Sequence, residues 1–78
     1  MKIFKSKNTM TMTKDEMLTA LNEGKKVTHR YFTDEEWMML IDPIDNIYLF
    51  EDGVKIPAHE FWANRRDMDW MEDWEIFK

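Results

Sequence analysis

Cysteine is absent from this chain, and glycine and proline occur only twice each among its 78 residues. Without cysteine there is no disulfide framework, no thiol nucleophile and no cysteine-ligated zinc, which fits a reducing cytoplasm better than a secreted scaffold. With Gly24 and Gly53 as the only glycines, no Gly-rich phosphate loop can be built. Ser6 is the sole serine, so there is no serine nucleophile motif. No apolar run approaches the roughly 20 residues of a membrane span, and the opening MKIFKSKNTM lacks the apolar block of a signal peptide. The expectation is a soluble chain with no membrane partner.

Charge is plentiful but unevenly placed. The formal net charge is -5, from 11 Lys+Arg against 16 Asp+Glu. Residues 1–30 hold seven bases and three acids, whereas residues 31–78 hold four bases and thirteen acids. A basic front and an acidic back can orient a partner through complementary fields, and both can equally be solvated surface. An acidic average argues against direct nucleic-acid binding. A chain this short buries only about 60% of its unfolded surface, so large side chains must do much of the stabilising. Eleven aromatic residues are available, each able to bury about 150–250 Å². Some of that surplus is expected at a homo-oligomer interface or a ligand wall, unless the rings merely rim the core.

Local pattern gives the elements. Thr13 and Glu16 form a capping box, with Met12 and Met17 at the positions of a hydrophobic staple and Gly24 where a left-handed cap ends a helix. The spacing predicts a helix over 14–23. Lys26 to Tyr31 alternates polar and apolar and reads as a strand. Residues 33–41 are ambiguous, since Thr33 and Glu36 repeat the capping pattern, but Asp42-Pro43 follows after only five apolar residues, favouring a strand over 36–41. Residues 42–46 read as a turn and 47–50 as a strand, and Asp52-Gly53 predicts a two-residue type I′ hairpin to residues 54–56. Ala58 to Arg66 reads as a short helix or a loop inserting Phe61 and Trp62, and residues 73–77 as a last strand. The fold expected is α+β: one N-terminal helix on a mainly antiparallel four- to five-stranded sheet, forming a single domain over 12–78 after an extension over 1–11 that includes a candidate strand at Ile3-Phe4.

Chemistry is sparse. His29 has no carboxylate partner set by local spacing, and an ordinary structural hydrogen bond is the simpler reading. His59-Glu60 begins like a zinc-protease helix but lacks the second histidine four residues on. The acidic run 67–75 lacks the glycine that turns a calcium loop. No catalytic residue, metal site or cofactor is expected. Binding is the surviving class. Lys25, Lys26, His29, Arg30, Arg65 and Arg66 offer charge for phosphates, and Phe32, Trp37, Trp62 and Trp70 offer rings for stacking. Composition alone does not separate such a cluster from a protein interface.

The segments MTKDEMLTALNEGKKV, THRYF, the hairpin reaching EDG and the terminal DWMEDWEIF together resemble a class of very small phage proteins that open with a capped helix running into G-K-K-V and end in D-W-E-hydrophobic. That class is similar to the phage Thoeris anti-defence sponges, of which a relative has been described as an anti-CRISPR. The likeness runs from Met12 to Phe77. It implies an oligomeric α+β protein that inhibits bacterial immunity without catalysis in the cytoplasm of an infected cell. Sponge members bind signalling nucleotides of the cyclic ADP-ribose kind in pockets between subunits. Their basic strand corresponds to His29, Arg30 and Phe32, and their closing element to Asp73, Trp74 and Glu75. The chain departs from them in carrying Phe32 where members carry Trp, and in a shorter segment between Ile41 and Val54.

Two expectations follow. A nucleotide-type signal would be held by Lys26, His29, Arg30, Phe32, Arg65 and Trp70. Alternatively, a host nuclease or CRISPR effector would be met by Asp67, Asp69, Asp73 and Trp74.

Overall fold

A computed structural model describes residues 11–77. The candidate strand at Ile3-Phe4 and nearly all of the expected extension lie outside the described residues. Helix α1 spans Lys14–Asn22 and begins where the capping box puts it. The Thr13 hydroxyl accepts from the Glu16 N–H at 3.3 Å and the Glu16 carboxylate accepts from the Thr13 N–H at 2.9 Å. At the other end Gly24 takes φ 84, and the N–H groups of Gly24 and Lys25 donate to the carbonyls of Leu21 and Ala20. That pair of bonds is a Schellman motif, which needs a residue able to sit in the left-handed region.

Five strands follow: β1 Val27–His29, β2 Met38–Asp42, β3 Ile47–Phe50, β4 Lys55–Pro57 and β5 Trp74–Ile76. All pairings are antiparallel, in the order β4-β3-β2-β1-β5. The first four make a meander and the last returns to the free side of β1. The ambiguous segment is a strand because Met38, Met39 and Leu40 find partners in Phe50, Leu49 and Tyr48. Its helix-like capping pattern survives only as a turn, with the Thr33 N–H donating to the Glu36 carboxylate at 2.6 Å.

The β3-β4 hairpin differs from expectation. Gly53 has φ 88 while Asp52 is not among the residues of positive φ, and both Gly53 N–H to Phe50 O and Phe50 N–H to Val54 O are made at 2.9 Å. This is a three-residue loop in which Gly53 takes the left-handed position after an ordinary turn, not a type I′ turn, which would require positive φ at Asp52 too.

Register and strand alternation put Val27, His29, Met38, Leu40, Tyr48, Phe50, Ile56, Trp74 and Ile76 on one face of the sheet. Met17, Ala20 and Leu21 of α1, with Ala58 and Phe61 of a second helix α2, Ala58–Ala63, complete the core against that face. Pro57 ends β4 and stands at the N-cap of α2. The chain after α2 runs through a 3-10 turn at Met68–Trp70 and then re-enters the sheet. Backbone hydrogen bonds fasten it to the start of the domain. Lys14 N–H donates to Met71 O at 2.8 Å, and Met12 and Trp74 exchange bonds of 2.6 and 3.1 Å. No helix among the described residues is long and apolar enough to cross a membrane.

Candidate functional site

The basic strand delivers His29 inward. As the residue two on from Val27 on the core face, it is 0% exposed. Its Nε2–H donates to the backbone carbonyls of Asp69 and Glu72 at 2.9 and 2.8 Å, and Nδ1 accepts from the Tyr31 N–H at 3.1 Å. One nitrogen donating and the other accepting defines a neutral imidazole in a single tautomer. The ring is stacked on Trp70 with centroids 4.3 Å apart and meets Trp74 edge-on at 4.6 Å. His29 therefore pins the 67–73 loop to the sheet and has no surface for a ligand, which corrects its expected ligand role. Trp74, also 0% exposed, donates its indole N–H to Trp70 O at 2.9 Å. Burial likewise removes it from any docking face.

The other expected ligand residues disperse around this seam. Phe32 is half-buried against Trp74, Trp70 and Phe50. Trp70 spends one face on His29. Arg30 donates to the Asp73 carboxylate at 3.2 Å, pairing a residue expected on the ligand side with one expected on the protein side. Asp73 holds φ 69, a left-handed conformation that Asp tolerates better than most side chains. Lys26 places its ammonium 4.3 Å from the centre of the Trp37 ring. Lys26 alternates with Val27, so it lies on the sheet face opposite the core, away from Arg65. The six do not converge on one site.

Of them, Arg65 borders an open hollow. That hollow, about 410 Å³, is lined by Lys14, His59, Trp62, Ala63, Arg65, Arg66 and Met71. His59, Trp62 and Ala63 share one face of α2 at the i, i+3, i+4 spacing, and Arg65 and Arg66 follow just after the helix ends. Lys14 reaches in from the first turn of α1, its ammonium 4.0 Å above the Trp62 ring. Arg65 is held rigidly. Its guanidinium lies 4.2 Å from the Phe61 centroid and 5.2 Å from that of Trp70, and Nη1 donates to Phe61 O at 2.9 Å. Burial lowers its pKa from the ordinary value, yet a guanidinium stays charged at neutral pH. Its Nε is enclosed with no hydrogen-bond partner. Among the described residues, His59 and Arg66 make no side-chain hydrogen bond or ion pair. Three cationic side chains lining one hollow with the Trp62 indole, in a chain of net charge -5, make a place for an anion with a flat group beside it.

Sequence reading passed over Lys14 and His59. Lys14 sits inside a capping motif, and His59 attracts notice only as half of a zinc motif. The usable signal was the 59/62/63 spacing, obscured because α2 is only six residues long and the two arginines lie beyond its end.

The acidic side is arranged differently. Asp67, Met68 and Asp69 are exposed on the 3-10 turn, Met68 at 73%. Hydrogen bonding to Asp69, then burial, holds the Tyr31 phenol above its ordinary pKa of 10.0. Among the described residues, no group of acids and histidines is placed to hold a metal ion. No family model, curated protein or solved structure matches the chain.

Proposed function

We propose that this chain is a non-enzymatic, phage-type anti-defence protein that acts by stoichiometric binding, as a sponge for a cyclic or ADP-ribose-type nucleotide signal in the cytoplasm of an infected bacterial cell. The observation that carries the reading is the hollow lined by Lys14, Arg65 and Arg66 together with Trp62, with the Lys14 ammonium over the indole. Phosphates pair with guanidinium and ammonium groups, and a flat base stacks on an indole. The ligand role moves from the basic strand to this hollow, and self-association into a homo-oligomer remains part of the proposal. Catalysis is not: the histidine of the basic strand has both nitrogens committed to the backbone.

Calorimetric titration of the full chain with cyclic ADP-ribose-type nucleotides and ADP-ribose is expected to give saturable heat that weakens with added salt. Replacing Arg65 and Arg66 by alanine is expected to lower affinity at least tenfold. Absence of heat with every nucleotide refutes the sponge reading.

A second reading rests on the exposed Asp67-Met68-Asp69 turn, whose charge suits the cationic channel of a host nuclease or CRISPR effector. Asp67→Asn with Asp69→Asn is expected to abolish inhibition of such an effector if this face is used; unchanged inhibition sinks that alternative.

A further inference from the structure

A second hollow, about 330 Å³, lies on the other side of the Lys14–Trp62 contact, and those two residues line both. Its character is opposite. Leu18, Leu21 and Leu40 supply an apolar floor, while Asn22, Asn46 and Tyr48 stand at its wall and Lys14 is its only charged residue. The polar groups there are underused. Tyr48 Oη accepts the Trp62 indole N–H at 3.0 Å, which leaves its own proton without an acceptor among the described residues. The side-chain amides of Asn22 and Asn46 make no hydrogen bond among the described residues. The same Tyr48 bond fixes the indole that separates the two compartments.

We infer that the two hollows are one bipartite site, taking a phosphate or pyrophosphate joined to a neutral, hydrogen-bonding ring, with the anion at Lys14, Arg65 and Arg66 and the ring in the Asn22/Asn46/Tyr48 compartment. The inference rests on the reading of the basic hollow as the anion site and adds the recognition of the uncharged half. Segregation of charge is the reason. A purely anionic ligand needs only the basic side, whereas an apolar floor ringed by amide and phenol groups suits a planar ring with nitrogen and oxygen at its edge. Each compartment is of the size that holds part of a small ligand. The ligand crosses over the Trp62 indole and the Lys14 ammonium, so both contact it whichever half binds first.

The test titrates the full chain with pyrophosphate, adenosine and ADP. ADP is expected to bind at least tenfold more tightly than pyrophosphate. Arg66→Ala lowers the affinity of both. Asn22→Ala with Asn46→Gly, the glycine keeping the positive φ of 61 at position 46, lowers ADP affinity about tenfold and leaves pyrophosphate unchanged. A measurement on the unaltered chain removes dependence on folding of the variants. In NMR spectra ADP is expected to shift the side-chain amide signals of Asn22 and Asn46, and pyrophosphate only the guanidinium signals of Arg65 and Arg66. ADP binding no tighter than pyrophosphate, or amide signals that ADP leaves in place, overturns the bipartite site while the anion site stands. Failure of both ADP and pyrophosphate to bind overturns the anion site with it.

Discussion

Two regions of this molecule use the same residue types to opposite ends. At the seam, His29, Arg30, Trp70 and Trp74 close the sheet against the 67–73 loop, and the side chains of His29, Arg30 and Trp74 bond to carbonyls, an N–H or a carboxylate of the chain itself. At the hollow, His59, Arg66 and Trp62 face outward, and the first two have no such partner among the described residues. Arg65 lies between them, lining the hollow while its guanidinium stacks on Phe61 of the core and Trp70 of the seam. A histidine, an arginine and a tryptophan near each other do not indicate a binding site. What sets the second group apart is that the side chains of His59 and Arg66 make no hydrogen bond or ion pair among the described residues while they line an open hollow, and only the Trp62 indole N–H is spent, on Tyr48.

The comparison is broken or sharpened first at Trp74. Trp74→Ala empties a fully buried indole site in a small core, a loss of about 3–5 kcal/mol that is expected to unfold most of the chain. Loss of the cooperative urea transition is the readout; a variant that keeps it shows that the seam is not where stability resides.

The next largest effect separates the two histidines. His29→Phe keeps a flat ring beside Trp70 but removes the donor to Asp69 and Glu72 and the acceptor for Tyr31, at a cost of about 1–3 kcal/mol. His59→Phe is expected to change stability by less than about 0.5 kcal/mol. Equal urea midpoints for the two would erase the distinction drawn here.

Tyr48 joins core to hollow and gives a smaller effect. Tyr48→Phe loses the bond from the Trp62 indole, worth about 1 kcal/mol. Burial raises the Tyr48 pKa above 10.0, with the Trp62 bond pulling weakly the other way. For a group whose folded pKa is raised, the stability is complete below the unfolded value and is lost as pH rises from about 10 through the folded value. Unfolding followed across that alkaline range is expected to show less of this loss in Tyr48→Phe than in the parent chain.

Least costly is Lys14→Ala. It removes a half-buried side chain whose ammonium lies over the Trp62 ring, about 0.5–1 kcal/mol, yet it should weaken pyrophosphate binding at least threefold. A fall in stability without a fall in binding would assign Lys14 to structure rather than to the site.

Much of the fold was legible because it is encoded over a few residues. The Thr13/Glu16 box and the Gly24 cap act within one turn, so their pattern is visible in the string itself. Alternation over 26–31 and the apolar run at 47–50 marked those strands, whereas 36–41 needed the register with β3 to decide between helix and strand. Asp52-Gly53 marked the hairpin correctly and its turn type incorrectly, since the same two residues serve both loops. The candidate site was much less legible. Basic and aromatic residues near β1 pointed to a ligand, but that strand turns inward, and the cations of the hollow come from the first turn of α1 and from the residues just after α2.

By itself, then, the sequence determined a cysteine-free α+β chain with a capped first helix, an antiparallel meander and more rings than one core face uses. Those properties follow from composition and from interactions between residues three or four apart. Only the tertiary structure decided which histidine is structural and which faces solvent. The bonds that settle it join His29 to residues 40 and 43 positions away. The hollow likewise gathers Lys14, Trp62, Arg66 and Met71 from separate elements. Such contacts exist once α1, α2 and the final loop have been packed against one face of the sheet, and no local pattern specifies them.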